Sequence, residues 1–187
     1  MIRFLHFLGI GSNTNRVQNL SSCLHYMCRS FRRLQISPVY QSPAFGFAGQ
    51  DFYNLVVRIE SVFTPHQLKT WLQNIEDIHG RDRSQPRYSN RTLDIDLLLS
   101  NDLIIDDGVV QIPRQEILKR KYVLRPLQDL APDLVHPVAQ RKLAALWQEL
   151  ETVDGAELHT IEAGWLPKYT APEVAEVNVQ PQKKPIA

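Results

Sequence analysis

The chain has 187 residues, 43% of them hydrophobic and 22% charged, which suits one globular domain with a sizeable core and excludes a long disordered or fibrous protein. Its formal net charge of +1 excludes a chain-wide attraction to nucleic acid or to a membrane surface, so any anion site must be local.

Residues 2–10 read as a first strand ending in Gly9-Ile10-Gly11-Ser12-Asn13. The apolar run Phe4 to Leu8 is too short to span a membrane and is followed by no cleavage-site pattern. Val17, Leu20, Leu24, Met27 and Phe31 recur at helical spacing, predicting an amphipathic helix over 15–33 with Asn13 or Asn15 as its cap. Cys23 and Cys28 would lie about 140° apart around that helix. They are badly placed for a disulfide and lack metal-ligand spacing, so a reducing, cytoplasmic setting is expected. The Gly9-x-Gly11 pair lacks the third glycine of a dinucleotide fingerprint, and no G-x-x-x-x-G-K phosphate loop is present. These glycines are read as permitting a tight turn or a close backbone approach.

A second strand over 34–41 contains Pro38, which suits a sheet edge. Residues 42–50 form a loop with glycine hinges and aromatics, and Phe52 to Ile59 a third strand in which Asn54 stands among apolar neighbours. An amide there needs hydrogen-bond partners, from backbone or ligand. Thr64-Pro65 opens a second helix in Ncap–N1 order; Leu68, Trp71, Leu72, Ile75 and Ile78 form its apolar face, and Gly80 ends it.

The stretch from Gly80 to Leu99 carries the strongest chemical signal in the chain. Arg81, Arg83, Arg87 and Arg91 punctuate a loop-like run, and Arg91 to Leu99 reads as a buried strand. Alternation puts Asp94 and Asp96 on one face, about 7 Å apart, where they repel unless a cation sits beside them. Oxygen-only ligands suit a hard ion such as Mg²⁺ better than zinc. A carboxylate-held metal beside an arginine-rich loop is what handling a polyphosphate requires. Beyond it, Asp102 to Gln111 is a hairpin turned at Asp107-Gly108. A second basic cluster contains Pro113, Arg114, Lys119, Arg120 and Lys121. Leu127 to Val135 is read as a strand broken by Pro132, leading to a helix at 139–150. Residues 1–163 are expected to form the domain, and 164–187 a loose proline-rich tail.

The order β-α-β-β-α-β, followed by an extra C-terminal hairpin, strand and helix, predicts an α+β ferredoxin-like sandwich with helices on one face.

The chain resembles the 6-hydroxymethyl-7,8-dihydropterin pyrophosphokinase family over residues 5–150. The resemblance rests on Gly11-Ser12-Asn13, Tyr40-x-Ser42-Pro43, Asn54, Gly80-Arg81-x-Arg83, Arg91-Thr92-Leu93-Asp94-Ile95-Asp96, Leu124-x-Pro126-Leu127 and Ala131-Pro132. It implies transfer of pyrophosphate from ATP to the pterin hydroxymethyl group, with release of AMP, in folate biosynthesis. It implies two Mg²⁺ ions on Asp94 and Asp96, with Arg81 and Arg91 engaging the triphosphate and these four as the catalytic residues. Nucleotide contacts implied in addition are Gln73, Glu76, Arg83, Leu97, Arg114 and Arg120. For the pterin the resemblance implies Asn54 at the ring edge, Tyr122 stacked on the ring, and Ser42, Pro43, Phe45, Phe52 and the lid residue Tyr88 around it.

The sequence departs from the family pattern at Arg114, where a histidine is common, at Tyr88 for a tryptophan, at Ser89-Asn90 for Gly-Pro and at Ala44 for a proline. Arginine keeps a donor and a permanent charge at position 114. A paralogue acting on a related pterin, a metal-dependent phosphohydrolase and a non-catalytic ferredoxin-like module binding RNA share parts of the pattern. The last would need paired aromatics where Asp94 and Asp96 stand. The expected partners are therefore small molecules, not nucleic acid or membrane.

Overall fold

The residues described by the computed structural model are 2–86, 88–153 and 155–167, so Arg87 and most of the expected tail lie outside them. Apolar alternation sets the sheet. Strands β1 (Phe4–Ser12), β4 (Phe52–Ser61) and β5 (Asp94–Ser100) form its centre and one edge, in the order β5-β1-β4-β3-β8. Here β3 is Val39–Ser42 and β8 is His159–Ile161, and all named pairings are antiparallel.

The strand predicted over 34–41 is two pieces, because β2 (Leu34–Ile36) also pairs with β4. At the break, Ser37 takes over the ladder: its backbone N donates to the Val56 carbonyl and its Oγ accepts from the Val56 N. The break absorbs one residue of register, since Ile36 faces Val57 and Tyr40 faces Asn54.

Helices α1 (Arg16–Ser30) and α2 (Pro65–Ile78) follow the two expected patterns except at Val17 and Ile78, which face solvent instead of the core. The N-cap of α1 is Asn15, in the left-handed region at φ 44°, with no side-chain cap bond; the predicted capping oxygen of Asn13 is used elsewhere. Thr64 and Gln67 form a reciprocal capping box at the start of α2. At its other end Gly80 has φ 75°, with Gly80 N and Arg81 N returning to the carbonyls of Asp77 and Glu76.

Leu20, Leu24 and Met27 of α1 and Leu68, Leu72 and Ile75 of α2 pack on Leu8, Ile10, Leu55, Val57, Ile95 and Leu97, the main core. The opposite sheet face is covered too. Helix α3 (Lys121–Leu130) and helix α4 (Leu143–Val153) bring Leu124, Leu127, Leu143 and Trp147 onto Phe7, Val56, Leu98 and Leu99. This corrects the expected strand over Leu127–Val135, whose first residues end α3, and the expectation of helices on one face only. Pro126 inside α3 hid the helix; the burial of Leu124 and Leu127 outweighs the one hydrogen bond that proline forfeits. Helix α4 begins four residues later than predicted, after a turn in which Gln140 has φ 52°.

The hairpin is present as β6 (Ile105–Asp106) and β7 (Gln111–Ile112), turned through Asp107 and Gly108 at φ 83°. Packing does not stop at 163, since Trp165 and Leu166 lie partly buried against the main core. Among the described residues no helix is long and apolar enough to cross a membrane.

Candidate functional site

Arg91, Thr92 and Leu93, expected to open the buried strand, precede it. Asn13 accounts for this: its Oδ1 accepts from the Arg91 N at 2.7 Å and its backbone N donates to the Arg91 carbonyl at 3.0 Å. The Asn13 amide nitrogen also reaches Gln50 O and Asn90 Oδ1, so one buried asparagine ties together three loops. Strand pairing begins at Asp94.

From there alternation holds. Ile95 and Leu97 sink into the main core, while Asp94 and Asp96 share the opposite face and keep 43% and 35% of their side chains exposed. The strand is an edge, and its Ile95 N–H is met at 2.9 Å by the buried Glu76 Oε1 from α2. The other oxygen of Glu76 accepts from Arg83 at 3.0 Å. Glu76 thus pins the strand between the two aspartates.

Across the sheet, Asp94 is paired with Gly11 and Asp96 with Gly9, and Gly11 is paired in turn with Asn54. A Cβ at Gly11 would sit 3.0 Å from Asn54 Oδ1, and one at Gly9 would meet the Leu98 side chain at 3.2 Å. Of the two roles foreseen for these glycines, they serve the close approach and make no turn. They form a low floor between the carboxylates and the Asn54 amide, whose Nδ2 donates to Ser42 Oγ at 3.0 Å. The strands carrying Asp94 and Asn54 are two strand spacings apart, about 10 Å.

Over this floor lies a cleft of about 550 Å³. Among the described residues its walls carry seven cations (Lys69, Arg81, Arg83, Arg91, Arg114, Lys119 and Arg120) and four carboxylates (Glu76, Asp94, Asp96 and Glu116). A chain of near-zero net charge thus concentrates positive charge in one place. Arg81 donates to the Leu93 carbonyl at 3.1 Å and pairs with Asp94 at 2.8 Å. Arg91 is buried, donating to Ser89 Oγ and the Pro86 carbonyl, and its pKa is lowered by desolvation and then by the charge of Arg81. Arg114 lies 3.3 Å from Asp96. Burial, reinforced by the Asp94 charge and opposed by Arg114, pushes the Asp96 carboxyl up to about 6.

At the Asn54 end, Ser42, Pro43, Phe45, Phe52, Tyr88 and Tyr122 line the wall. The Arg120 guanidinium lies 3.6 Å over the Phe45 ring, and Phe45 meets Tyr88 edge-on at 5.8 Å. Burial raises the Tyr122 phenol, keeping it neutral. The cysteines offer no nucleophile here: neither is disulfide-bonded, and burial, with a smaller push from Glu76, drives Cys23 up to about 12.

Two anticipated nucleotide residues fall outside this wall. Gln73 is solvent-exposed and contributes only its carbonyl, to Arg83. Leu97 points to the other face and lines a second cavity of about 270 Å³ with Val109 and Val110, which touches the first at Lys69, Asp96 and Arg114. Sequence reasoning missed Lys69, Phe47, Gln115 and Glu116 as lining residues. Lys69 had a legible signal, since it precedes Glu76 by seven residues on α2 and so shares its face.

The fold and cleft define a class: an α+β protein whose antiparallel sheet carries a carboxylate pair beneath an arginine-rich wall. The model of the 7,8-dihydro-6-hydroxymethylpterin-pyrophosphokinase (HPPK) family matches residues 7–132, and the chain belongs to that family. It is 35% identical over 138 residues to the 2-amino-4-hydroxy-6-hydroxymethyldihydropteridine pyrophosphokinase of Haemophilus influenzae, covering 72% of this chain and 86% of that protein. It is 34% identical over 144 residues to the folic acid synthesis protein fol1 of Schizosaccharomyces pombe, covering 76% of this chain but 19% of that protein. A crystal structure of Plasmodium falciparum HPPK-DHPS shares the fold, with a TM-score of 0.62 at 14% identity, over 79% of this chain and 42% of that one. The chain therefore spans about a fifth of the fungal protein and under half of the Plasmodium chain.

Proposed function

We propose that this protein transfers the pyrophosphoryl group of ATP to 6-hydroxymethyl-7,8-dihydropterin, giving the pterin diphosphate and AMP for folate biosynthesis. The observation that carries the reading is the row Asp94–Gly11–Asn54. It sets a carboxylate pair and an amide about two strand spacings apart, roughly 10 Å, along the floor of one cationic cleft. That span suits a bicyclic heterocycle held by its polar edge with its hydroxymethyl arm toward the carboxylates. We read the strand order as the ferredoxin-like arrangement, extended by β8 and by the two helices on the second face.

The donor set fits Mg²⁺. Asp94 and Asp96 offer only oxygen, and their like charges share one strand face, so that burial and Asp94 raise the Asp96 carboxyl even against the charge of Arg114. Among the described residues no cluster of three or more acidic, histidine or cysteine donors gathers, so phosphate oxygens and water would complete the coordination, the usual magnesium pattern. Two ions held by Asp94 and Asp96 would neutralise the triphosphate and lower the pKa of the attacking hydroxyl.

The chain's own groups do the rest. Arg81, Arg91 and Arg120 grip phosphate oxygens in fixed forks, and Arg83, braced on Glu76, adds charge behind them. Asn54 bonds the ring edge, and Tyr122 stacks on the ring beside Ser42, Pro43, Phe45 and Phe52. Tyr88, meeting Phe45 edge-on, closes the wall against water. The second cavity, with Leu97, Val109 and Val110 on its walls and Arg114 at its junction with the cleft, suits the nucleoside end of ATP. The hydroxymethyl oxygen attacks the β-phosphorus, the bond from that phosphorus to the oxygen bridging to the α-phosphate breaks, AMP leaves with that electron pair, and the hydroxyl proton passes to water. Positioning and charge supply the rate, with no dedicated base. The unbridged cysteines agree with a cytoplasmic setting.

The test is to supply protein, Mg²⁺, ATP and the hydroxymethyl dihydropterin and identify the nucleotide product. AMP formed only with pterin present is expected. ADP, or AMP formed at the same rate without pterin, refutes the proposal. Asp96→Ala should remain folded and lose at least about 10²–10³ in turnover.

A further inference from the structure

Arg114, which stands where a histidine is common in the family pattern, is tethered by its own backbone. The backbone N of Arg114 donates to the Leu98 carbonyl at 3.0 Å. Leu98 lies where the β1–β5 register shifts by one, Leu8 facing Leu97 and Phe7 facing Leu99. The shift frees that carbonyl to anchor Arg114 beside Asp96. The guanidinium then finds carboxylates on both sides, Nη2 at 3.3 Å from Asp96 and Nε at 3.5 Å from Glu116. Arg81 is placed differently at Asp94, for it is also fixed by the Leu93 carbonyl. Among the described residues the charged groups paired with the Arg114 guanidinium are these two carboxylates alone, and it lines both cavities.

We infer that Arg114 is a tethered counter-ion that holds Asp96 against free divalent metal and releases it when a nucleotide phosphate offers the guanidinium another partner. The inference rests on the metal reading above and adds to it a regulatory coupling that belongs to this chain. A fixed monovalent cation on the carboxylate that a divalent ion needs makes the two mutually exclusive at that oxygen, by like-charge repulsion. A phosphate accepts the same fork, and Glu116 provides a place for the guanidinium to pivot. Metal and nucleotide then bind with positive coupling, each raising the affinity for the other by the same factor. The resulting device resists loading metal alone and loads the metal–nucleotide pair. Histidine at this position, neutral near pH 7, would exert less of this exclusion.

Mn²⁺ serves as the probe, its free concentration read by electron paramagnetic resonance with and without an ATP analogue carrying a methylene group between the α- and β-phosphorus atoms. Wild type should bind Mn²⁺ weakly alone and tightly with the analogue. In Arg114→Gln, which keeps the backbone bond to Leu98, Mn²⁺ alone should bind about tenfold tighter, and the gain produced by the analogue should shrink by a similar factor. Arg114→Lys should fall between, keeping the charge without the fork. An unchanged or weaker affinity for Mn²⁺ alone in Arg114→Gln overturns the inference. Asp94→Asn and Asp96→Asn are measured in parallel. If they lose Mn²⁺ while Arg114→Gln gains nothing, the counter-ion fails and the metal reading survives. If both retain wild-type binding, the metal reading fails and takes the counter-ion with it.

Discussion

Replacing Glu76 by alanine tests how the carboxylate strand is held. Glu76 is 4% exposed and Ile95 1%, so the bond from Ile95 N to Glu76 Oε1 is shielded from water. Removing the acceptor leaves a buried N–H unsatisfied, at about 1–3 kcal/mol. It also deletes the bond to Arg83, a group 46% exposed and therefore easily rehydrated, which adds only about 0.5–1 kcal/mol. The sum is about 1.5–4 kcal/mol. At roughly 2–4 °C per kcal/mol for a domain of this size, the midpoint should fall by about 3–16 °C. Glu76→Gln keeps an oxygen for Ile95 and loses only the charge, so it should cost about 1 kcal/mol. Urea unfolding gives both differences, and amide exchange at Ile95 should accelerate in the alanine variant far more than in the glutamine one. An alanine variant within 1 kcal/mol of wild type, or a glutamine variant as damaged as alanine, refutes the pinning role.

Asp96 predicts a pH dependence. Its native carboxyl sits near 6, above the ordinary 3.8, so between those values the folded chain binds more protons than the unfolded one. In chelator its contribution to stability is therefore fullest below about pH 4 and is lost as pH rises through about 6; subtracting Asp96→Asn from wild-type urea midpoints should isolate that slope, and the opposite slope contradicts it. Gly11→Ala places a methyl 3.0 Å from Asn54 Oδ1. It should weaken pterin binding about tenfold or more by pushing the amide aside, while the nucleotide affinity measured by titration changes little. Gly9→Ala meets only the flexible end of Leu98, at 3.2 Å, and should be the milder change for the pterin.

Much of the architecture was legible because local rules and tertiary needs agree. Thr64-Pro65 and Gln67 begin α2, Gly80 ends it, and Asp107-Gly108 turns the hairpin, each as its own chemistry demands. The alternation placing Asp94 and Asp96 on one face was readable for the same reason. The start of that strand was not, because Arg91 is held by Asn13, seventy-eight residues earlier in the chain. Helix α3 was hidden by Pro126 and by the basic residues before it, and only its packing on Val56 and Leu98 reveals it. Most of the cleft residues were nameable by resemblance. The division of labour among them was not: that Glu76 serves the backbone and that Leu97 belongs to a separate cavity depends on which way each element faces.

The glycine floor of β1 has a consequence for what this cleft can accept. Because Asp94, Gly11 and Asn54 sit on adjacent hydrogen-bonded strands, the gap between the two ends of the site is fixed by ladder geometry, which cannot stretch by fractions of an ångström as a loop can. The sheet acts as a ruler graduated in whole strands. Acceptors longer or shorter than that gap would be rejected by length alone, before any side chain discriminates among them, and mutations in the surrounding loops should alter the rate at which the correct molecule is used more readily than they alter which molecule is correct.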